Sequence, residues 1–399
     1  MFVYNNSGLG TSKWGISIIH NMINVLVADD SAFMRLAIDK MLSRDPEFNV
    51  IGFCSNGEEV LEKLKTLQPD VLTLDIEMPK MNGLEVLDKI MKTRPIPILM
   101  VSSLTVEGAE ETIKALELGA VDVVAKPGSF VSLKITDIFE ELSRKIKAAA
   151  KAKVYQKPLT LQIHNPKLKF LAERIKERAE RIAKEINLKD YKPLINIPTQ
   201  QSEEILESFD FTPELIILGI STGGPISLQK IIPELPADLP CGVIIAQHMP
   251  LGFTKTLSQR LDFTSKIEVK EAEDGDVIKP GRVLVAPSGF QTRVKKRFVG
   301  YSIQVTDETE KNYLYKPCID ILLSSAAEMY KNKVLGIIMT GMGNDGSKGA
   351  LEINKAGGKI FAQSEDSCVV SSMPAAVIKA GVADKIYSLE QMSKAIIQL

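Results

Sequence analysis

Val25-Leu26-Val27-Ala28-Asp29-Asp30-Ser31-Ala32 carries a short apolar run into two carboxylates, then a serine placed to cap the helical pattern Ala32–Leu42. The unit recurs. Further apolar runs, each flanked by polar or turn residues, stand at Val50–Cys54, Val71–Asp75, Ile98–Ser102 and Val121–Ala125, with helical patterns between them. Short continuous apolar runs are what parallel strands covered on both faces require. After about residue 210 a second series follows, at Leu215–Gly219, Val243–Ala246, Val283–Ala286, Val334–Met339 and Lys359–Ala362. The expected class is therefore α/β, with two doubly wound parallel-sheet domains. The two halves share an architecture without a residue-level repeat.

Composition supports this division. A chain of 399 residues exceeds one ordinary core, and its length suggests about two to three domains. The 49 basic and 50 acidic side chains nearly cancel, which argues against the clustered basic excess of a nucleic-acid binder. Cys54, Cys241, Cys318 and Cys368 are scattered without a C-x-x-C, opposing both a zinc site and a disulfide framework and fitting a reduced, cytoplasmic protein. No apolar run is long enough to span a bilayer. Residues 1–22 lack the continuous apolar core of a signal peptide and read as a disordered leader or a misassigned start.

Residues 148–210 read as a linker. Lys167 to Leu188 is dense in Lys, Arg and Glu, with Leu168, Ala172, Ile175, Ala179, Ile182 and Ile186 at alternating four- and three-residue spacing. Glu177–Arg181 and Glu180–Lys184 are favourable i, i+4 pairs. A solvated helix resting one apolar stripe on a domain fits better than a coiled coil, because the seam is short and includes two alanines. Pro193, Pro198, Gln200 and Gln201 then read as a flexible tether.

Two constellations carry chemistry. In the first half Asp29, Asp30, Asp75, Ser102 and Lys126 all fall at the carboxyl ends of strands, the edge where open parallel sheets bind ligands. Three carboxylates there suit a hard cation such as Mg²⁺. Asp75 then qualifies as a nucleophile toward a phosphoryl group, with Ser102 and Lys126 to bind the added oxygens. A lone Asp after a strand is commonly a helix cap, but five matching residues at four strand ends are not. The motifs Val27-Ala28-Asp29-Asp30-Ser31, Leu74-Asp75-Ile76-Glu77-Met78-Pro79 and Ala125-Lys126-Pro127 resemble the receiver domain of two-component response regulators, over residues 23–147. The resemblance implies a flavodoxin-like fold in which Asp75 accepts phosphate from a sensor histidine kinase. One position departs from it: Val123 stands where many receivers carry an aromatic residue.

In the second half Gly219-Ile220-Ser221-Thr222-Gly223 satisfies G-x-S-x-G, a sharp turn that exposes a serine oxygen. The same junction suits a phosphate cradle at a helix N-terminus. His248, the only histidine in the C-terminal half, follows an apolar strand and is a candidate general base. Asp345 follows another and can orient the imidazole, or can simply cap the helix beginning near Gly346. Thr222 and Met342 flank glycines and are candidate backbone donors to an oxyanion. The order Ser…His…Asp differs from the Ser…Asp…His order of α/β-hydrolases, so that fold is not implied.

Four motifs together resemble the catalytic domain of chemotaxis protein-glutamate methylesterases over residues 211–399: Gly219-Ile220-Ser221-Thr222-Gly223-Gly224-Pro225, Ala246-Gln247-His248-Met249-Pro250, Ala272-Glu273-Asp274-Gly275-Asp276 and Thr340-Gly341-Met342-Gly343-Asn344-Asp345-Gly346. The resemblance implies a Rossmann-like domain that hydrolyses glutamate methyl esters, and deamidates some glutamines, on methyl-accepting chemotaxis receptors. It also implies that the unphosphorylated receiver covers the catalytic face. The implied partners are those receptors and a sensor kinase. A monomer is expected, with no nucleic acid, no membrane insertion and no cofactor in the catalytic domain. Tyr313-Leu314-Tyr315-Lys316-Pro317-Cys318 departs from the usual Asn-x-His-Arg-Pro-Ser, a frequent histidine is replaced near Gln291, and the linker is long for the family. Two other readings remain open at this level: a receiver-linked hydrolase of a different protein, and a phospho-dependent anion-binding module.

Overall fold

Residues 22–102, 106–126, 135–154, 209–308 and 313–399 are described by the computed structural model. The expected leader and the charged linker helix over 167–188 lie outside the described residues.

Among the described residues the N-terminal domain alternates strand and helix: β1 (Ile23–Ala28), α1 (Ala32–Leu42), β2 (Phe48–Cys54), α2 (Gly57–Lys63), β3 (Val71–Asp75), α3 (Gly83–Thr93), β4 (Ile98–Ser102), α4 (Val106–Leu118), β5 (Asp122–Ala125) and α5 (Ile135–Ala149). The five strands form one parallel sheet in the order β2-β1-β3-β4-β5. Strands β3 and β4 are buried at every position, which is why their sequences are apolar runs and not alternations. The Ser31 side chain accepts from the Met34 amide and caps α1, as its position predicts. Asn82 and Glu85 form a capping box on α3, so the chain leaves the β3 edge along a fixed path.

The C-terminal domain contains β6 (Leu215–Ile220), α6 (Gly224–Ile231), β7 (Gly242–Gln247), α7 (Phe253–Thr264), β8 (Glu268–Glu271), β9 (Arg282–Val285), β10 (Gln291–Lys296), β11 (Tyr301–Thr306), α8 (Ile319–Tyr330), β12 (Val334–Ile338), α9 (Ser347–Lys355), β13 (Lys359–Gln363), α10 (Ser372–Lys379), β14 (Lys385–Tyr387) and α11 (Leu389–Ile397). Among the described residues seven strands build a parallel sheet in the order β14-β13-β12-β6-β7-β9-β8. Two apolar layers, one on each face, enclose it.

Four strands carry no apolar run and escape the sequence reading. Strand β8 reads Glu-Val-Lys-Glu and buries only Val269, because it is the sheet edge. The edge strand β14 has three residues. Strands β10 and β11 pair antiparallel in a separate two-stranded ribbon with half-polar sequences.

The topology positions the site. From β6 the chain steps to β7 on one side, and β12 later returns to pair on the other. This reversal opens a crevice at the carboxyl ends of β6, β7 and β12, where ligands bind in doubly wound sheets. Ser221, His248 and the loop from Thr340 to Asp345 follow those three strands.

Candidate functional site

Strand β6 ends at Ile220 and the chain turns through Ser221 into α6, with Gly223 at φ +78° as N-cap. The turn is pinned to its neighbours. The Ser221 amide donates to the Thr340 carbonyl at 3.0 Å, and the His248 amide donates to the Ile220 carbonyl at 3.1 Å. Gln247, fully buried, sends Nε2 to the carbonyls of both Ser221 and His248, each at 2.9 Å. One side-chain amide thus fastens the candidate nucleophile to the candidate base, a role the sequence reading missed. Its signal was a polar residue at the end of an otherwise apolar strand.

His248 Nε2 lies 2.9 Å from Asp345 Oδ2, with side-chain exposures of only 8% and 3%. Asp345 Oδ2 also accepts the Ile319 amide at 2.8 Å, while Oδ1 accepts the Asp320 amide at 2.9 Å. The carboxylate therefore sits on the N-terminus of α8. Capping competes with orienting in the sequence, yet the helix capped is α8 and not the one that follows Asp345; α9 has Gly346 as N-cap with no side-chain bond. Burial alone would raise the Asp345 carboxyl, but the His248 bond and charge and the Asp320 and Ile319 amides outweigh it and hold the group below its ordinary value. An anionic Asp345 accepting from Nε2 fixes the tautomer and leaves the Nδ1 lone pair available. Nδ1 is buried and has no hydrogen-bond partner among the described residues.

Of the candidate oxyanion donors, Thr222 follows the serine in the chain and Met342 follows Gly341, which lies against Ser221. Among the described residues neither the Thr222 nor the Met342 amide is committed to a protein acceptor. Gly341 presses on Ser221: a Cβ there would lie 2.8 Å from the serine Cβ and 2.2 Å from Met373 Sδ.

Ser221 is 8% exposed, where the turn alone predicts an exposed oxygen. The N-terminal domain packs beside it, at Thr222. Thr222 Oγ1 donates to Asp122 Oδ2 at 2.5 Å, and Asp122 in turn pairs with Lys145 at 3.1 Å. Burial would lower the Lys145 ammonium, but Asp122 and Glu141 raise it and keep it charged. Arg260 of α7 meets Glu117 of α4 at 3.1 Å. Phe253, 1% exposed, packs into the N-terminal domain's core cluster, and Ile113 of α4 packs into the C-terminal one.

The other five predicted residues come together at the opposite edge of the N-terminal domain. Ligand oxygens of Asp29, Asp30 and Asp75 all lie within 4.8 Å of one another. Lys126 Nζ bonds Asp75 Oδ2 at 2.7 Å and lies 3.4 Å from Asp29 Oδ2. Ser102 Oγ receives the Thr112 hydroxyl of α4 at 3.0 Å. Burial, with Asp29 adding repulsion, pushes the Asp75 carboxyl up to about 6 against the opposing pull of Lys126. Burial likewise raises Asp29. Crowded, desolvated carboxylates of this kind fit a divalent cation, which offsets their mutual repulsion.

Residues 216–396 match the family described as CheB methylesterase, and residues 25–136 match the response regulator receiver domain. A protein-glutamate methylesterase/protein-glutamine glutaminase of Oleidesulfovibrio alaskensis is 42% identical over 375 residues, covering 94% of this chain and 98% of its own. The chain belongs to this family. A Thermotoga maritima protein of the same name is 40% identical over 378 residues, covering 95% of this chain and 98% of its own. The crystal structure of the Thermotoga maritima CheB methylesterase catalytic domain is 41% identical, covers 47% of this chain and 98% of its own, and superposes with a TM-score of 0.45. Among the described residues no helix of this methylesterase-family chain is long and apolar enough to cross a membrane.

Proposed function

We propose that this protein removes methyl groups from glutamate γ-esters, and deamidates selected glutamines, on methyl-accepting chemotaxis receptors, acting in the cytoplasm under control of phosphorylation at Asp75. The observation that carries the catalytic reading is the dry His248–Asp345 pair at 2.9 Å, fastened through the Ile220 carbonyl and Gln247 to the serine turn.

Ser221 Oγ attacks the γ-carbonyl carbon while its proton passes to His248 Nδ1. The resulting imidazolium is stabilised by the Asp345 carboxylate. The carbonyl oxygen gains the negative charge, and the amides of Thr222 and Met342 are the donors offered to it. Collapse breaks the carbon–oxygen or carbon–nitrogen bond as His248 returns the proton, so methanol or ammonia leaves and an acyl-serine remains. Water, deprotonated by His248, then attacks the acyl carbon, Ser221 regains its proton and glutamate is released.

In the receiver, Asp75 takes the phosphoryl group from the histidine of a sensor kinase. Asp29, Asp30 and Asp75 would hold Mg²⁺, which supplies charge neutralisation for the incoming phosphoryl oxygens. Lys126 and Ser102 hold the added oxygens. Because the receiver bonds Thr222 and contacts Tyr315 beside the serine, substrate access is taken to require the two domains to separate.

The test is methanol release from methyl-labelled receptor membranes, with and without a small phosphodonor. Stimulated release that disappears in Ser221→Ala supports the assignment. No release by the wild type eliminates the substrate, and turnover by the variant eliminates the nucleophile.

A further inference from the structure

We infer that Tyr315 is a positioning residue for His248, and that Arg144 of the receiver grips the same tyrosine from its other side, so that receiver docking is transmitted directly to the base. The inference rests on the assignment of His248 as general base. Tyr315 stands in the segment 313–318, which departs from the family motif.

The Tyr315 and His248 rings are stacked face to face, with centroids 4.1 Å apart and planes within 2°. The Arg144 guanidinium stands 4.7 Å from the Tyr315 ring centroid. Arg144 lies on α5 and Tyr315 just before α8, so the guanidinium–phenol contact crosses the domain boundary.

The tyrosine is itself held. Its carbonyl accepts Gln291 Nε2 at 2.9 Å, and Gln291 Oε1 accepts the Cys318 amide at 2.9 Å, so one glutamine clamps both ends of the turn. Gly343, at φ +89°, leaves room for the phenol: a Cβ there would lie 3.1 Å from the hydroxyl oxygen.

Asp345 holds His248 through Nε2 alone. A single hydrogen bond at one ring edge leaves the imidazole free to rock about it, and rocking changes the direction in which Nδ1 presents its lone pair. A flat ring in contact with the imidazole face removes that freedom. Arg144 adds a second effect. Its Nη1 is buried without a hydrogen-bond partner among the described residues, so this half-buried guanidinium has the aromatic face as its partner. An imidazolium forming on the opposite face must then share one ring with an existing cation. Docking thereby opposes the charge that His248 gains in the reaction, in addition to blocking access. When the receiver leaves, the outer face of Tyr315 becomes a wall of the opened site.

The experiment uses the full-length protein in the methanol-release assay, with and without phosphodonor, on Tyr315→Phe, Tyr315→Leu and Arg144→Gln, with thermal unfolding measured for each. Tyr315→Phe keeps the flat face and should retain kcat within about twofold. Tyr315→Leu fills the space without it and should lose roughly ten- to a hundredfold in kcat at little cost in KM, the pattern of a misaligned catalytic group. Arg144→Gln should raise the unstimulated rate by roughly three- to tenfold while the fully stimulated rate stays within twofold.

Equal kcat for the Phe and Leu variants would overturn the positioning role. Unstimulated Arg144→Gln at the wild-type rate would overturn the coupling. Ser221→Ala run in parallel separates the two levels: its retained turnover refutes the triad itself, whereas an inactive Ser221→Ala beside a fully active Tyr315→Leu refutes only this inference.

Discussion

Asp345→Asn is the substitution on which the proposed chemistry turns most sharply. Asp345 Oδ2 faces two donors, His248 Nε2 and the Ile319 amide, and Oδ1 faces three, the amides of Asp320 and Gly346 and the Cys318 thiol. Asparagine has one oxygen and one NH₂. Placing the NH₂ toward His248 sets it against Nε2–H and drives the proton to Nδ1, the nitrogen that must accept from Ser221. Placing it the other way sets it against the amides of Asp320 and Gly346, at the starts of α8 and α9, and against the Cys318 thiol. The first arrangement costs the wrong-tautomer penalty, about 10³- to 10⁴-fold in kcat. Either one removes the anion at the α8 N-terminus and leaves buried donors unsatisfied, together worth roughly 2–4 kcal/mol of stability. Initial rates of methanol release at saturating phosphodonor measure the first quantity, and urea unfolding measures the second. A variant within tenfold of wild-type kcat, with an unchanged unfolding midpoint, would refute both the orienting role and the capping role. The pH sign follows from the depressed carboxyl: Asp345 contributes its full stabilisation above the unfolded carboxylate value of 3.8, and that contribution is lost as pH falls through its lower folded value.

Asp75 behaves in the opposite sense. Its folded value of about 6 lies above the ordinary carboxylate value of 3.8, so the ionised group disfavours folding above about pH 6, and stability is recovered as pH falls from 6 toward 3.8. Without Mg²⁺, Asp75→Asn should remove that dependence and stabilise the protein near neutrality. The gain is at most about 3 kcal/mol, because each tenfold change in proton affinity is worth about 1.4 kcal/mol, and the lost Lys126 bond reduces it further. An identical pH slope in urea melts of variant and wild type would contradict this. The same variant should show no phosphodonor-dependent rise in methanol release, and a rise equal to wild type would exclude Asp75 as the acceptor. Gln247→Leu strips the shared donor from the Ser221 and His248 carbonyls and should cost roughly 2–4 kcal/mol with a fall in kcat, checked by unfolding and turnover together. Gly341→Ala drives a methyl group against the Ser221 Cβ and Met373 and should reduce kcat on the order of ten- to a hundredfold at near-constant stability; wild-type turnover would show that the serine is not held by that contact.

The sequence by itself determined the two doubly wound sheets, because strands buried on both faces must be short apolar runs, as Val71–Asp75 and Leu215–Ile220 are. It also determined the residue types at the strand ends, since Asp29, Asp75, Lys126, Ser221 and His248 sit at the apolar-to-polar transitions that mark a sheet edge. It could not reveal β8 or β14, whose edge positions free them from an apolar pattern. Nor could it choose between capping and orienting for Asp345. Those roles differ only in which helix start and which ring nitrogen lie nearby, and the partners are 26 and 97 residues away. The docking of the receiver beside Ser221 is equally a property of the assembled chain: the Asp122–Thr222 bond joins residues 100 positions apart. Local pattern records what each residue needs from its own segment. Only tertiary packing decides which distant groups meet: folding of the C-terminal domain lays Tyr315 on His248, and docking of the receiver brings Arg144 to the same tyrosine.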